Sequence, residues 1–81
     1  MLKPIQTEIR TAVVDGVLCR VLTTAGGAMA EPIVKVQKRM SKINAKRPVW
    51  VSVREFDKFL RAQILEAVEG KEPDVILPGH G

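Results

Sequence analysis

Residues 32–54 hold Lys35, Lys38, Arg39, Lys42, Lys46, Arg47 and Arg54 and not one acid. Cations gathered without carboxylates suit contact with a phosphate backbone, because each one that docks releases a condensed counterion. Trp50 stands within the same segment and offers a ring on which a base can stack or a wedge at a groove. The chemistry that the residue types point to is therefore nucleic-acid binding, through Lys35, Lys38, Arg39, Lys42, Lys46 and Arg47 with Trp50 as an accessory.

Other chemistries lack their parts. Cys19 is the single cysteine and His80 the single histidine of the 81 residues, so neither a disulfide framework nor a cysteine- or histidine-rich metal site can be assembled within one chain. Cys19 falls mid-strand among Ala12, Val14, Val17 and Val21, the setting of a small buried hydrophobe and not of a nucleophile. Gly26-Gly27 lacks the lysine and the spacing of a phosphate loop and reads as a linker. Glu66, Glu69, Glu72 and Asp74 do not match a calcium loop and read as a solvated helix end. Glu55, Asp57 and Glu66 lie on a polar helix face without a cleft to raise a carboxyl pKa. No enzyme activity, cofactor or metal is expected.

The elements that must position the basic residues follow from local pattern. Thr7–Val14 and Val17–Thr24 are rich in β-branched residues and flank Asp15-Gly16, a pair suited to a type I′ turn, so a β-hairpin is predicted with Val14 opposite Val17 and Ile9 opposite Leu22. Ile9, Thr11, Val13, Leu18, Arg20 and Leu22 share one face, and Arg10, Ala12, Val14, Val17, Cys19 and Val21 the other. Both faces are largely apolar, which predicts cover from a second copy or a partner protein; the expected homodimer interface is Ala12, Val14, Val17, Cys19 and Val21.

Glu31-Pro32 reads as a helix entry, and from there to about Asn44 the residues Ile33, Val36, Met40 and Ile43 fall on one face of a 3.6-residue period, with Lys35, Lys38, Arg39, Lys42 and Lys46 on another. Pro48–Ser52 reads as a third strand, and Ser52-Val53-Arg54-Glu55 as a capping box that opens a second helix with Phe56, Phe59, Leu60, Ile64, Ala67 and Val68 inward. Asp57 and Arg61 are spaced for an ion pair, and Gly70 ends the helix. Neither a helix-turn-helix nor a ribbon-helix-helix fits, since Pro48 and an extended segment separate the two helices and Glu72-Pro73 and Pro78 break the tail.

The predicted fold class is α+β: a small single domain over 1–81, in the order ββαβα, with an ordered core at about 5–70 and a flexible tail at 71–81. Val75-Ile76-Leu77 is the one part of that tail with the character to dock on a neighbour. Residues 1–31 are neutral and residues 55–81 carry six acids against Lys58, Arg61 and Lys71, so the formal charge of +4 is concentrated at the centre. No apolar run approaches the roughly 20 residues of a membrane span, and no apolar stretch follows the first four residues as in a secretory leader. The expected protein is cytoplasmic and regulatory or accessory, of a size that suits a phage or other mobile element, and binds DNA by preference. The alternative is an interaction module, an inhibitor or adaptor, whose basic face docks an acidic protein surface.

Overall fold

The structure is a computed structural model, and it describes residues 3–40, 47–54 and 56–79. Six elements follow one another: strands β1 (Gln6–Val14), β2 (Val17–Ala25), β3 (Ile33–Met40) and β4 (Val49–Ser52), helix α1 (Lys58–Val68) and strand β5 (Val75–Pro78). The strands form one antiparallel sheet in the order β4-β3-β2-β1-β5. The α+β class holds, but with one helix and five strands among the described residues, not the predicted two helices.

The first hairpin forms in the predicted register, from Val14 opposite Val17 through Ile9 opposite Leu22, and the ladder continues to Gln6 opposite Ala25. Asp15 (φ 51°) and Gly16 (φ 75°) both take positive φ, as a type I′ turn requires. The chain then turns at Gly26 (φ 117°) and Gly27 (φ 58°), where the Gly27 N–H donates to the Lys3 carbonyl at 2.6 Å. A Cβ on Gly26 would run into the Pro4 carbonyl, so the close approach of the N-terminal segment needs glycine there.

The predicted basic helix is strand β3. Its pairing with β2, from Cys19 opposite Lys38 to Thr24 opposite Ile33, places it in the interior of the sheet. The reason lies in its composition and its neighbours: Ile33, Val34 and Val36 are β-branched, and both edges of the strand find ladder partners in β2 and β4. Lys38, directed to the same side as Val34, Val36 and Met40, interrupts the two-residue alternation and leaves a false helical period. Ile43, Lys42 and Lys46 lie outside the described residues.

Strand β4 forms where expected and lies against β3, with Arg39 opposite Trp50 and Gln37 opposite Ser52. The ladder extends one step further, the Val53 N–H donating to the Val36 carbonyl at 2.9 Å. Ser52 is thereby held in the sheet and does not cap the helix. Asp57 is the N-cap, its carboxylate accepting from the Leu60 N–H at 3.4 Å, so the helix starts five residues later than the capping-box reading implies. Glu55 lies outside the described residues. The carboxylate of Asp57 serves the cap, and the ion pair with Arg61 is not formed. The helix gives way at Glu69, and Gly70 (φ 77°) turns the chain as predicted.

The 11-residue helix is about 16 Å long, close to the roughly 19 Å from the first to the fifth strand of a sheet with about 4.8 Å spacing. It therefore carries the chain from the β4 edge, across β3, β2 and β1, to the opposite edge, where β5 pairs with β1. On the way it covers one side of the sheet. Cys19, Val21, Val36, Val53, Ile64 and Val68 form the buried core, with Ala12, Val14, Leu60 and Leu65 packed against it. Burial of a side chain such as Ile64 stabilises by about 1.5–3 kcal/mol.

Three further expectations are corrected here. The face expected to meet a second copy, with Ala12, Val14, Cys19 and Val21, lies under α1, and Cys19 is 0% exposed; Val17, at its edge, stays open. The helix stripe is narrower than predicted: Leu60, Ile64 and Val68 turn inward, Ala67 is exposed, and Phe56 and Phe59 are 81% and 88% exposed. Residues 75–78 of the expected flexible tail are a sheet strand. It is latched by Asp74, whose carboxylate accepts from the Thr11 N–H (2.7 Å) and hydroxyl (2.9 Å), and by the Asp74 N–H donating to the Ile9 carbonyl (2.8 Å).

Candidate functional site

With α1 on one side, no element among the described residues lies over the other side of the sheet. Residues directly opposite one another across a ladder share a face. The open face therefore comprises Thr7, Ile9, Thr11 and Val13 on β1, Leu18, Arg20, Leu22 and Thr24 on β2, Ile33, Lys35, Gln37 and Arg39 on β3, Trp50 and Ser52 on β4, and Val75 and Leu77 on β5.

Its charge is of one sign. Arg20, Lys35 and Arg39 are cations, and the strands contribute no acid to it. The single acid within any strand, Glu8, lies on the helix side and is ion-paired with Arg10 at 3.0 Å. Asp74, just before β5, is taken up by Thr11; the N–H and then the hydroxyl of Thr11 hold its carboxyl below the ordinary value of 3.8.

Trp50 is the centre of the cationic part. Arg39 stands directly opposite it in the ladder, with its guanidinium carbon 5.7 Å from the ring centroid. Arg20 comes from β2, across the intervening β3, and its guanidinium carbon is 4.1 Å from the same centroid. Its Nε donates to Gln37 Oε1 at 2.7 Å, which restrains the guanidinium over the indole. Burial and then repulsion from Arg39 lower the Arg20 pKa, yet an arginine so shifted is still cationic at neutral pH. Trp50 and Arg20 are half-buried, while Lys35 and Arg39 are exposed.

The predicted contact residues thus divide. Lys35, Arg39 and Trp50 meet on the open face, and Arg47 is exposed just before β4. Lys38 points to the helix side, half-buried beside a hollow of ≈ 250 Å³ that Met40, Val51, Val53 and Phe56 also line. Lys42 and Lys46 lie outside the described residues. No family model, curated protein or solved structure matches the chain. The site must be read from its own chemistry.

Arg20 is the residue that sequence reasoning left out. The hairpin register places it opposite Thr11, but each face of the hairpin carries four polar residues, Thr7, Thr11, Arg20 and Thr24 against Gln6, Glu8, Arg10 and Thr23, so polarity did not mark the face that a single helix leaves open. Exposed Phe56 and Phe59 were also missed, because their place depends on where the helix starts. Among the described residues no three or more His, Cys, Asp or Glu gather to hold a metal ion. None of their helices is long and apolar enough to cross a membrane. Cys19 is buried, its Sγ donating to the Val17 carbonyl at 3.4 Å, and desolvation raises its pKa above the ordinary value of 9.0.

Proposed function

We propose that this chain is a non-enzymatic nucleic-acid-binding protein that works through the open face of its sheet. The observation that carries the reading is the gathering of Arg20 and Arg39 at Trp50, with Lys35 on the same face and no acid among the strand residues there. Cations so placed draw phosphates by counterion release, and the indole supplies a surface for a base. Relative to the expectation from sequence, the basic residues act from a strand and not from a helix, and Lys38 leaves the contact set.

Fluorescence anisotropy with labelled oligonucleotides at several salt concentrations tests this. Binding is expected at low salt and to fall steeply as salt rises. Replacing Lys35 and Arg39 by Glu together is expected to abolish it while the sheet stays intact by circular dichroism. A chain that binds no oligonucleotide at low salt overturns the proposal.

A second reading is an interaction module for an acidic protein surface. Phe56 and Phe59 favour it, since two aromatic rings more than four-fifths exposed near one helix start are of the kind that partner proteins bury. Under that reading Phe56→Ser with Phe59→Ser weakens partner capture, as the Lys35/Arg39 reversal does, and oligonucleotides are not bound.

A further inference from the structure

Resting on the nucleic-acid reading above, we propose that the ligand of the open face is single-stranded nucleic acid, with one unpaired base against Trp50 and its flanking phosphates on Lys35 and Arg39. The width of the sheet argues first. Five strands about 4.8 Å apart span about 19 Å between the outer two, against a major groove about 12 Å wide. A helix or a two-stranded ribbon enters that groove; this face does not.

Among the described residues no other element does so in its place. The face of α1 toward the sheet is in the core through Ile64 and Val68, and its outer positions set exposed Lys58 and half-buried Arg61 against Glu66, with Glu69 next to it. Against the major groove of a duplex the described residues are left with phosphate contacts alone.

The make-up of the face argues second. Half-buried Ile9, Leu18 and Leu22 adjoin the three cations. An intact duplex offers such a surface only its charged rim, whereas a strand with splayed bases offers apolar faces and phosphates together. A second copy of the same face would bring Arg20, Lys35 and Arg39 no acid from its strands, whereas phosphates supply the opposite charge.

Trp50 argues third. Its ring is held on the sheet by Arg20, and Arg20 is oriented by Gln37, so the indole is placed before any ligand arrives. As the single tryptophan of the chain it also reports its own contact by fluorescence.

The test compares a labelled single-stranded oligonucleotide, in DNA and RNA arms, with a hairpin duplex of the same sequence, using the whole chain. The single strand is expected to bind at least about tenfold more tightly and to quench Trp50 emission, with Trp50→Ala weakening it about tenfold and Trp50→Phe less. Equal or tighter binding of the duplex, or single-strand binding that leaves Trp50 emission unchanged, overturns the inference while the nucleic-acid reading stands. Binding of neither form overturns both. Should Trp50→Ala fail to fold by circular dichroism, the emission change of the unaltered chain, with the Lys35→Ala/Arg39→Ala variant, decides.

Discussion

Arg20 and Trp50 lie on strands that are not neighbours, yet the guanidinium carbon of one stands 4.1 Å from the ring centroid of the other, above the strand between them. The contact ties β2 to β4 over β3 and keeps an indole on a surface that no second layer covers among the described residues. Arg20→Lys keeps the charge and loses the planar stack, so a loss of about 0.5–1 kcal/mol in urea denaturation is expected. Acrylamide should quench the Trp50 emission of the variant more readily.

The two sides of α1 differ sharply. Ile64 is 0% exposed and Phe59 88%. Ile64→Ala should therefore cost about 2–5 kcal/mol, and Phe59→Ser should stay within about 0.5 kcal/mol of the unaltered chain. Thermal or urea melts of the pair check the helix placement; equal effects would mean that α1 is rotated about its axis.

Cys19 has its thiol in the core and its pKa raised by desolvation. Ellman's reagent at neutral pH is expected to titrate no thiol in the folded protein and one after unfolding, since the thiolate is the reactive form. Rapid labelling of the native chain would show that α1 does not stay over β2.

The Asp74 latch gives a pH dependence. Hydrogen bonds from Thr11 depress its pKa, so the folded state binds the ionised form. Its contribution is present in full above the ordinary carboxyl value of 3.8 and is lost as the pH falls through the lower folded-state value. Asp74→Ala should speed amide exchange along β5 at neutral pH and remove this acid-side step, with the remaining carboxylates titrating as before.

Two glycines with positive φ separate backbone conformation from contact. Gly70→Ala meets open space and should cost about 1–2 kcal/mol for its conformation alone. Gly26→Ala carries that strain and also drives its methyl group into the Pro4 carbonyl, so the larger loss of stability is expected there. Denaturant midpoints of the two variants give the comparison.

Several features were legible without coordinates because they rest on near neighbours in the chain. Asp15-Gly16 sets its own turn and with it the register of nine residue pairs, and Gly70 ends its helix by a local preference for positive φ. The extended Val49–Ser52 follows from β-branched and aromatic residues after Pro48. The clustering of cations between Pro32 and Arg54, and the lack of a second cysteine or histidine, are properties of the sequence itself.

What tertiary structure decided was the state of residues 33–40 and the side of the sheet that stays open. A segment with both a helical and a strand-like reading takes the one whose backbone groups find partners, and β2 on one side with β4 on the other supplied ladders that an isolated helix could not match. Once that segment became a strand, one helix remained to cover two largely apolar faces. It took the face of Cys19 and Val21, where Glu8 and Arg10 pair with one another, and left uncovered the face of Arg20, Lys35 and Arg39, whose charges would lack acidic partners under a helix. Composition alone made the central segment basic; the pairing of β3 between β2 and β4 turned that charge into a surface around Trp50.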